Sequence, residues 1–148
     1  MALAILITGS PAAAEDVVQE TFIRALDAKL KNTKGTVQGY LATIAYRLAL
    51  KESKRARRNM ELNEFDQLDQ KPNPLDIVLI NERERLVARA IRSLDAGHRD
   101  ALVLRFYGGH SFEDIAGLLK IPPGTAKSRV FYAVKSCRQI LREKGVLQ

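Results

Sequence analysis

Thr125, Lys127, Ser128, Arg129, Tyr132 and Lys135 fall within one short stretch near the end of the chain, and each carries a hydrogen-bond donor. From Lys120 to Lys144 the charged residues are Lys120, Lys127, Arg129, Lys135, Arg138, Arg142 and Lys144 against Glu143 alone. Donors and cations in this density suit recognition of phosphates and base edges rather than the making of a bond. A second cationic run, Arg47, Lys51, Lys54 and Arg55, follows Tyr40 and a loop holding Lys34. A third group has the opposite sign: Asp16, Gln19, Glu20 and Ile23 recur at three and four and share one helical face. No catalytic constellation stands beside them. Cys137 lies on an apolar stripe and reads as a packed thiol, while His98 and His110 lack Cys or carboxylate partners at ligand spacing. No enzyme, cofactor or metal is expected.

The elements that position these residues read as all-α. Strand-like alternation is absent, and apolar residues recur at three and four. A first segment ends at Thr8-Gly9, where glycine can form a left-handed cap. A second helix follows Ser10-Pro11 to about Lys29, with Val18, Phe22, Ala25 and Leu26 expected inward. Residues 29–36 form a lysine-bearing loop. A third helix spans about Val37 to Arg58, with Val37, Leu41, Ile44, Ala45 and Leu48 as its stripe.

An acidic, proline-closed stretch over 59–75 reads as a linker between two small helical domains, 1–58 and 76–148. Beyond it a helix is expected from near Asp76, carrying Ile77, Ile80, Val87, Ala90, Ile91 and Leu94. Asp95 is expected to cap the next helix, which presents Ala101, Leu102, Leu104 and Phe106 and stops at Gly108-Gly109. Ser111-Phe112-Glu113-Asp114 then fits a capping box. The helix it starts is cut at Lys120-Ile121-Pro122, and Pro123 opens a longer one with Ala126, Val130, Val134, Cys137 and Leu141 inward. A short helix, a tight turn and a longer basic helix make a helix-turn-helix.

Bulk composition agrees with this reading. The 148 residues hold 24 Lys and Arg against 17 Asp and Glu, a net charge of +7 that favours a polyanion, whether nucleic acid or an acidic membrane surface. The hydrophobic content of 46% suffices for one ordinary core or two small ones. The apolar start lacks the basic region of a signal peptide, and no run approaches the ~20 apolar residues of a membrane span. A single cysteine permits a reducing compartment, and a cytoplasmic protein is expected.

Three stretches resemble bacterial RNA polymerase sigma factors of the extracytoplasmic-function (ECF) group. Ile121-Pro122-Pro123-Gly124-Thr125-Ala126-Lys127-Ser128-Arg129 is similar to their recognition-helix motif. Ala14 to Leu26 (AEDVVQETFIRAL) is similar to the stretch that grips the polymerase clamp, and Tyr40-Leu41-Ala42-Thr43-Ile44-Ala45 with the basic run after it resembles their promoter-melting segment. The motifs stand in family order over nearly the whole chain apart from the linker. The resemblance implies that Asp16, Gln19, Glu20 and Ile23 contact the coiled coil of the largest subunit of core RNA polymerase. Lys34, Tyr40, Arg47, Lys51, Lys54 and Arg55 meet the downstream promoter element as it melts. Thr125, Lys127, Ser128, Arg129, Tyr132 and Lys135 read the upstream element.

It further implies an anti-sigma partner, with the free chain a monomer and the inhibited one a heterodimer. The acidic linker is expected along the polymerase channel that later carries RNA. Departures from the family are Tyr132 and Val134, where basic residues are usual, Tyr40 for a tryptophan, and Tyr46-Arg47 for Arg-Asn. The match begins at Ala2, in the last turns of the first family helix, so that helix is expected to be truncated. Two other readings stay open: a sigma-like decoy that only titrates an anti-sigma factor, and a plain helix-turn-helix repressor that leaves the Gln19-Glu20-Thr21-Phe22 helix without a role.

Overall fold

The computed structural model describes residues 1–28, 35–62 and 81–147. They form helices α1 (Ala2–Thr8), α2 (Pro11–Asp27), α3 (Val37–Leu62), α4 (Glu82–Arg92), α5 (Ala96–Phe106), α6 (Phe112–Leu119) and α7 (Pro123–Glu143), with no strand among the described residues. Leu3, Ala4, Ile5, Leu6 and Ile7 are apolar on every side of α1 and all five are buried, as expected of a helix without a polar face. Gly9 closes α1 in the left-handed region at φ 69°, donating its N–H to the Ile5 carbonyl. Ser10 then caps α2 by accepting from the Ala13 N–H, and Pro11 occupies the first turn.

Helix α2 packs on α1 and α3 with a different face from the one expected. Ala14, Val17, Thr21 and Ala25 are buried, whereas Phe22 and Leu26 are 53% and 74% exposed. Small side chains let the helix axes approach, and the Thr21 hydroxyl is satisfied locally by donating to the Val17 carbonyl at 2.6 Å. Helix α3 shows a similar displacement. Val37 is exposed, Leu41, Ile44, Ala45 and Leu48 are only partly buried, and the fully covered positions are Tyr46 and Ala49. This helix also continues past Arg58 to Leu62.

Helix α4 begins at Glu82, where Asn81 is extended and its side chain accepts from the Arg83 N–H. Asp76, Ile77 and Ile80 lie outside the described residues, as do Lys29 to Lys34 and most of the expected linker. Glu82 and Glu84 in the first turn and Arg89 and Arg92 in the last complement the helix dipole. Helix α5 buries Ala101, Leu102, Val103 and Leu104, but Phe106, its last residue, is 62% exposed.

The apolar interior is continuous from α1 to α7. Helix α1 touches α2 and α3 on one side and α4 and α5 on the other. Polar contacts cross the same boundary. The Tyr46 hydroxyl donates to Asp100 Oδ2 at 2.8 Å, the Arg92 guanidinium donates to the carbonyls of Leu6 and Ile7 at 3.0 and 3.1 Å, and Thr43 Oγ1 meets His110 Nε2 at 2.9 Å. Glycine suits position 9 because its φ is positive, and a Cβ there would also stand 2.5 Å from Arg92 Nη2 and push that guanidinium aside.

Candidate nucleic-acid interface

The helix-turn-helix is built from local chemistry at each of its corners. Ser111 Oγ accepts from the Asp114 N–H at 3.1 Å, which starts α6. Lys120 takes the left-handed conformation at φ 55° and ends it, with its N–H on the Ala116 carbonyl. Pro122 is extended and Pro123 opens α7, so the turn occupies the residues at which the sequence breaks its helical pattern. Ile115 and Ala116 of α6 pack with Ala126, Val130, Ala133, Cys137 and Leu141 of α7 in the shared core. Arg105 stacks over the Phe112 ring at 4.7 Å, which ties α5 to the entry of α6. Burial raises the Cys137 thiol above its ordinary value, so the group is held neutral as a packed side chain.

Outside that core, α7 exposes Lys127, Ser128, Phe131, Tyr132 and Lys135, followed by Arg138. Thr125 and Arg129 are half-buried on the flank. At about 100° per residue, two positions separate side chains by roughly 200°, so Lys127 and Arg129 cannot share a face. The Arg129 guanidinium lies against Gly97 at the start of α5, where a Cβ would stand 2.9 Å from Nη1. Phe131, which the charge pattern does not select, is 64% exposed and packs edge-on against Tyr132 at 5.3 Å. Exposure of both rings among cations is the signal that identifies them.

The second cluster lies along α3. Arg47, Lys51, Lys54 and Arg55 are exposed and Tyr40 is half-buried. Their spacing places all five within about 100° of arc on one helical face. Tyr40 and Arg47 line a groove of about 750 Å³ whose opposite wall is His110, Ser111, Glu113 and Asp114 at the start of α6. Lys34 lies outside the described residues.

The third cluster is the outer face of α2. Asp16, Gln19 and Ile23 are exposed, and Glu20 is half-buried with an ion pair to Arg24 at 3.0 Å. Phe22 and Leu26 border Ile23, so the face is acidic on one side and apolar on the other. Among the described residues no group of His, Cys, Asp or Glu is placed to hold a metal ion. None of the described helices is long and apolar enough to cross a membrane.

Two sequence families match the chain: Sigma-70 region 2 over residues 1–59 and Sigma-70, region 4 over residues 84–137. The chain is 35% identical over 147 residues to the ECF RNA polymerase sigma factor SigL of Mycobacterium tuberculosis, covering 97% of this chain and 82% of that protein. It is 36% identical over 149 residues to the RNA polymerase sigma-H factor of Pseudomonas aeruginosa, covering 88% and 76%. Against the ECF RNA polymerase sigma-E factor of Escherichia coli the identity is 35% over 133 residues, covering 80% and 68%. In fold it resembles the sigma factor RpoE of Bartonella quintana, solved in complex with the anti-sigma factor NepR. The TM-score is 0.72 at 24% identity, over 95% of this chain and 88% of that one.

Proposed function

The chain belongs to the ECF group of RNA polymerase sigma factors, transcription initiation factors that make no covalent bond themselves, and from that membership we propose how its surfaces divide the work. Core RNA polymerase is bound through the outer face of α2, by Asp16, Gln19, Glu20 and Ile23 against the coiled coil of the largest subunit. Tyr40, Arg47, Lys51, Lys54 and Arg55 hold the downstream promoter element as it opens, with Lys34 contributing from its loop. Lys127, Ser128, Tyr132 and Lys135 enter the major groove of the upstream element, and Thr125 and Arg129 meet its edge.

The observation that supports this reading most directly is the pairing, in one chain, of a basic recognition helix with a basic single-face array on α3. A repressor needs only the first. Cations on both surfaces supply the sequence-independent part of DNA affinity by releasing counterions, while groove-facing donors supply discrimination. An anti-sigma factor is the expected regulator, covering these surfaces while the chain is held inactive.

Reconstitution with core RNA polymerase on a promoter library tests the proposal. Specific transcripts that depend on Lys127 and Arg47 are expected. A protein that binds core polymerase or an anti-sigma factor but never yields specific initiation would instead be a decoy that sequesters the inhibitor.

A further inference from the structure

The exposed face of α7 presents Lys127, Ser128, Phe131, Tyr132 and Lys135. The two aromatic rings among them are not used by the fold: the core side of the helix is filled by Ala126, Val130, Ala133 and Cys137, while Phe131 and Tyr132 are 64% and 54% exposed. At about 100° per residue, Phe131 and Tyr132 lie on either side of the line through Ser128 and Lys135, so the rings bracket the middle of the face. They meet edge-on, with centroids 5.3 Å apart and planes at 85°, an arrangement that the ring quadrupoles favour. Each ring limits the rotamers open to the other, and the pair stands as a preformed apolar ridge among cations.

The chemistry of this ridge selects a base. Tyr132 lies about 14 Å along the helix from Pro123, close to the roughly 12 Å width of the major groove, so a helix lying in the groove brings both rings to base edges. A guanidinium reads guanine by two parallel hydrogen bonds to O6 and N7. The only arginine between Thr125 and Lys135 is Arg129, which is half-buried on the flank with its guanidinium beside Gly97. The Tyr132 hydroxyl supplies a single donor and cannot make that paired contact. What a ring does offer is apolar contact, and the apolar group that base pairs present in the major groove is the C5 methyl of thymine. We infer that Tyr132 is a specificity-determining residue whose ring packs on a thymine methyl of the upstream element, with Phe131 the positioning residue that holds it there. The inference rests on the proposed entry of α7 into the major groove.

The test uses the full chain bound to core RNA polymerase, with an upstream element selected from a promoter library. Each thymine of that element, on either strand, is replaced in turn by deoxyuridine, which removes the C5 methyl and alters neither base pairing nor the protein. Competition binding reads the result. Burial of one methyl is worth roughly a fourfold change in affinity, so one thymine is expected at which uracil weakens binding about fourfold. At that position Tyr132→Ala should make thymine and uracil equivalent, Tyr132→Phe should keep the difference, and Phe131→Ala should reduce it. Tyr132→Arg, selected afresh on the library, should shift the preferred base there to guanine. Both rings are more than half exposed, so these changes leave the fold intact. Uracil tolerated at every thymine overturns the inference, as does a difference that survives Tyr132→Ala. Variants at 131 and 132 that keep full base discrimination but lose affinity for core polymerase would assign the ridge to a protein contact instead. If Lys127→Ala leaves promoter affinity and its salt dependence unchanged, the reading of α7 as the groove helix fails and the inference falls with it. A Lys127 effect without a uracil effect sinks the inference alone.

Discussion

The hydroxyl of Tyr46 donates to Oδ2 of Asp100 at 2.8 Å across 54 positions of sequence, and Asp100 Oδ1 faces Arg99 Nε at 3.5 Å. The second contact is an ion pair too long and poorly aligned to be a hydrogen bond, which leaves Asp100 Oδ1 and Arg99 Nε without one. Burial raises the Asp100 carboxyl, with the Tyr46 hydrogen bond and Arg99 opposing. Burial and the negative charge of Asp100 push the Tyr46 phenol well above its ordinary value. A buried carboxylate held by one phenol and an imperfect ion pair is a junction with little energetic margin.

Its pH dependence follows from the direction of both shifts. A raised carboxyl means that the docked state holds a proton more readily than the opened one. Docking is therefore favoured near the ordinary carboxylate range of about 3.9 and loosens as pH rises through the raised value. The Tyr46 phenol acts in the same direction: its contribution is present below about 10 and lost as pH climbs beyond. Asp100→Asn keeps an acceptor for Tyr46 and removes the charge, so scattering should show its compactness unchanged by pH across the window in which wild type loosens. Asp100→Ala leaves the phenol unpaired and should weaken the α3–α5 junction at every pH, by about 1–3 kcal/mol.

A continuous core predicts one unfolding event. Ile7 of α1 and Leu104 of α5 are 1% and 0% exposed and belong to the same cluster. Each truncated to alanine should cost about 2–5 kcal/mol. In calorimetry both should lower a single transition. Two transitions, with Ile7→Ala moving one and Leu104→Ala the other, would show that the halves melt apart.

Arg129 gives the clearest forecast for promoter reading. Its guanidinium lies beside Gly97 at the α5 start, at the edge of the recognition helix. Arg129→Ala should lose about 1–3 kcal/mol of discrimination at one promoter position. Gly97→Ala should reproduce part of that loss without unfolding the domain, because the added Cβ displaces only the flexible tip of Arg129. Competition binding across single-base variants separates this from a phosphate contact, which would weaken all sites equally and flatten the salt dependence by about one charge.

What the sequence reveals follows the range of the interactions. The Ser111 cap, the Lys120-Ile121-Pro122 turn and the Gly9 cap are legible because each is settled within a few residues. The stripe of α2 is misread because hydropathy ranks Phe22 and Leu26 above Thr21 and Ala25, whereas close helix packing selects small side chains. The position of Arg129 was available from helical angle alone, once separated from the cationic run around it. Nothing in the sequence marks Tyr46 as a partner of Asp100 or Thr43 as a partner of His110. Such pairs depend on the docking of distant segments and leave no periodic trace.

The outer face of α2 supports a last prediction, about which of its two characters carries polymerase affinity. Phe22, Ile23 and Leu26 are exposed beside Asp16 and Gln19. Apolar area removed from water stabilises a complex by about 25 cal/mol per Å², whereas exposed charges at a rim act mainly on encounter rate and salt dependence. Ile23→Ala and Phe22→Ala should therefore raise the dissociation rate from core polymerase. Asp16→Asn with Glu20→Gln should chiefly slow association and reduce its sensitivity to salt. Because the three apolar side chains are at least half exposed, their truncation should change folding stability by no more than about 0.5 kcal/mol. Surface plasmon resonance on immobilised core enzyme separates the two rates. A dissociation rate unchanged by Ile23→Ala and Phe22→Ala would show that the apolar side of α2 stays outside the contact.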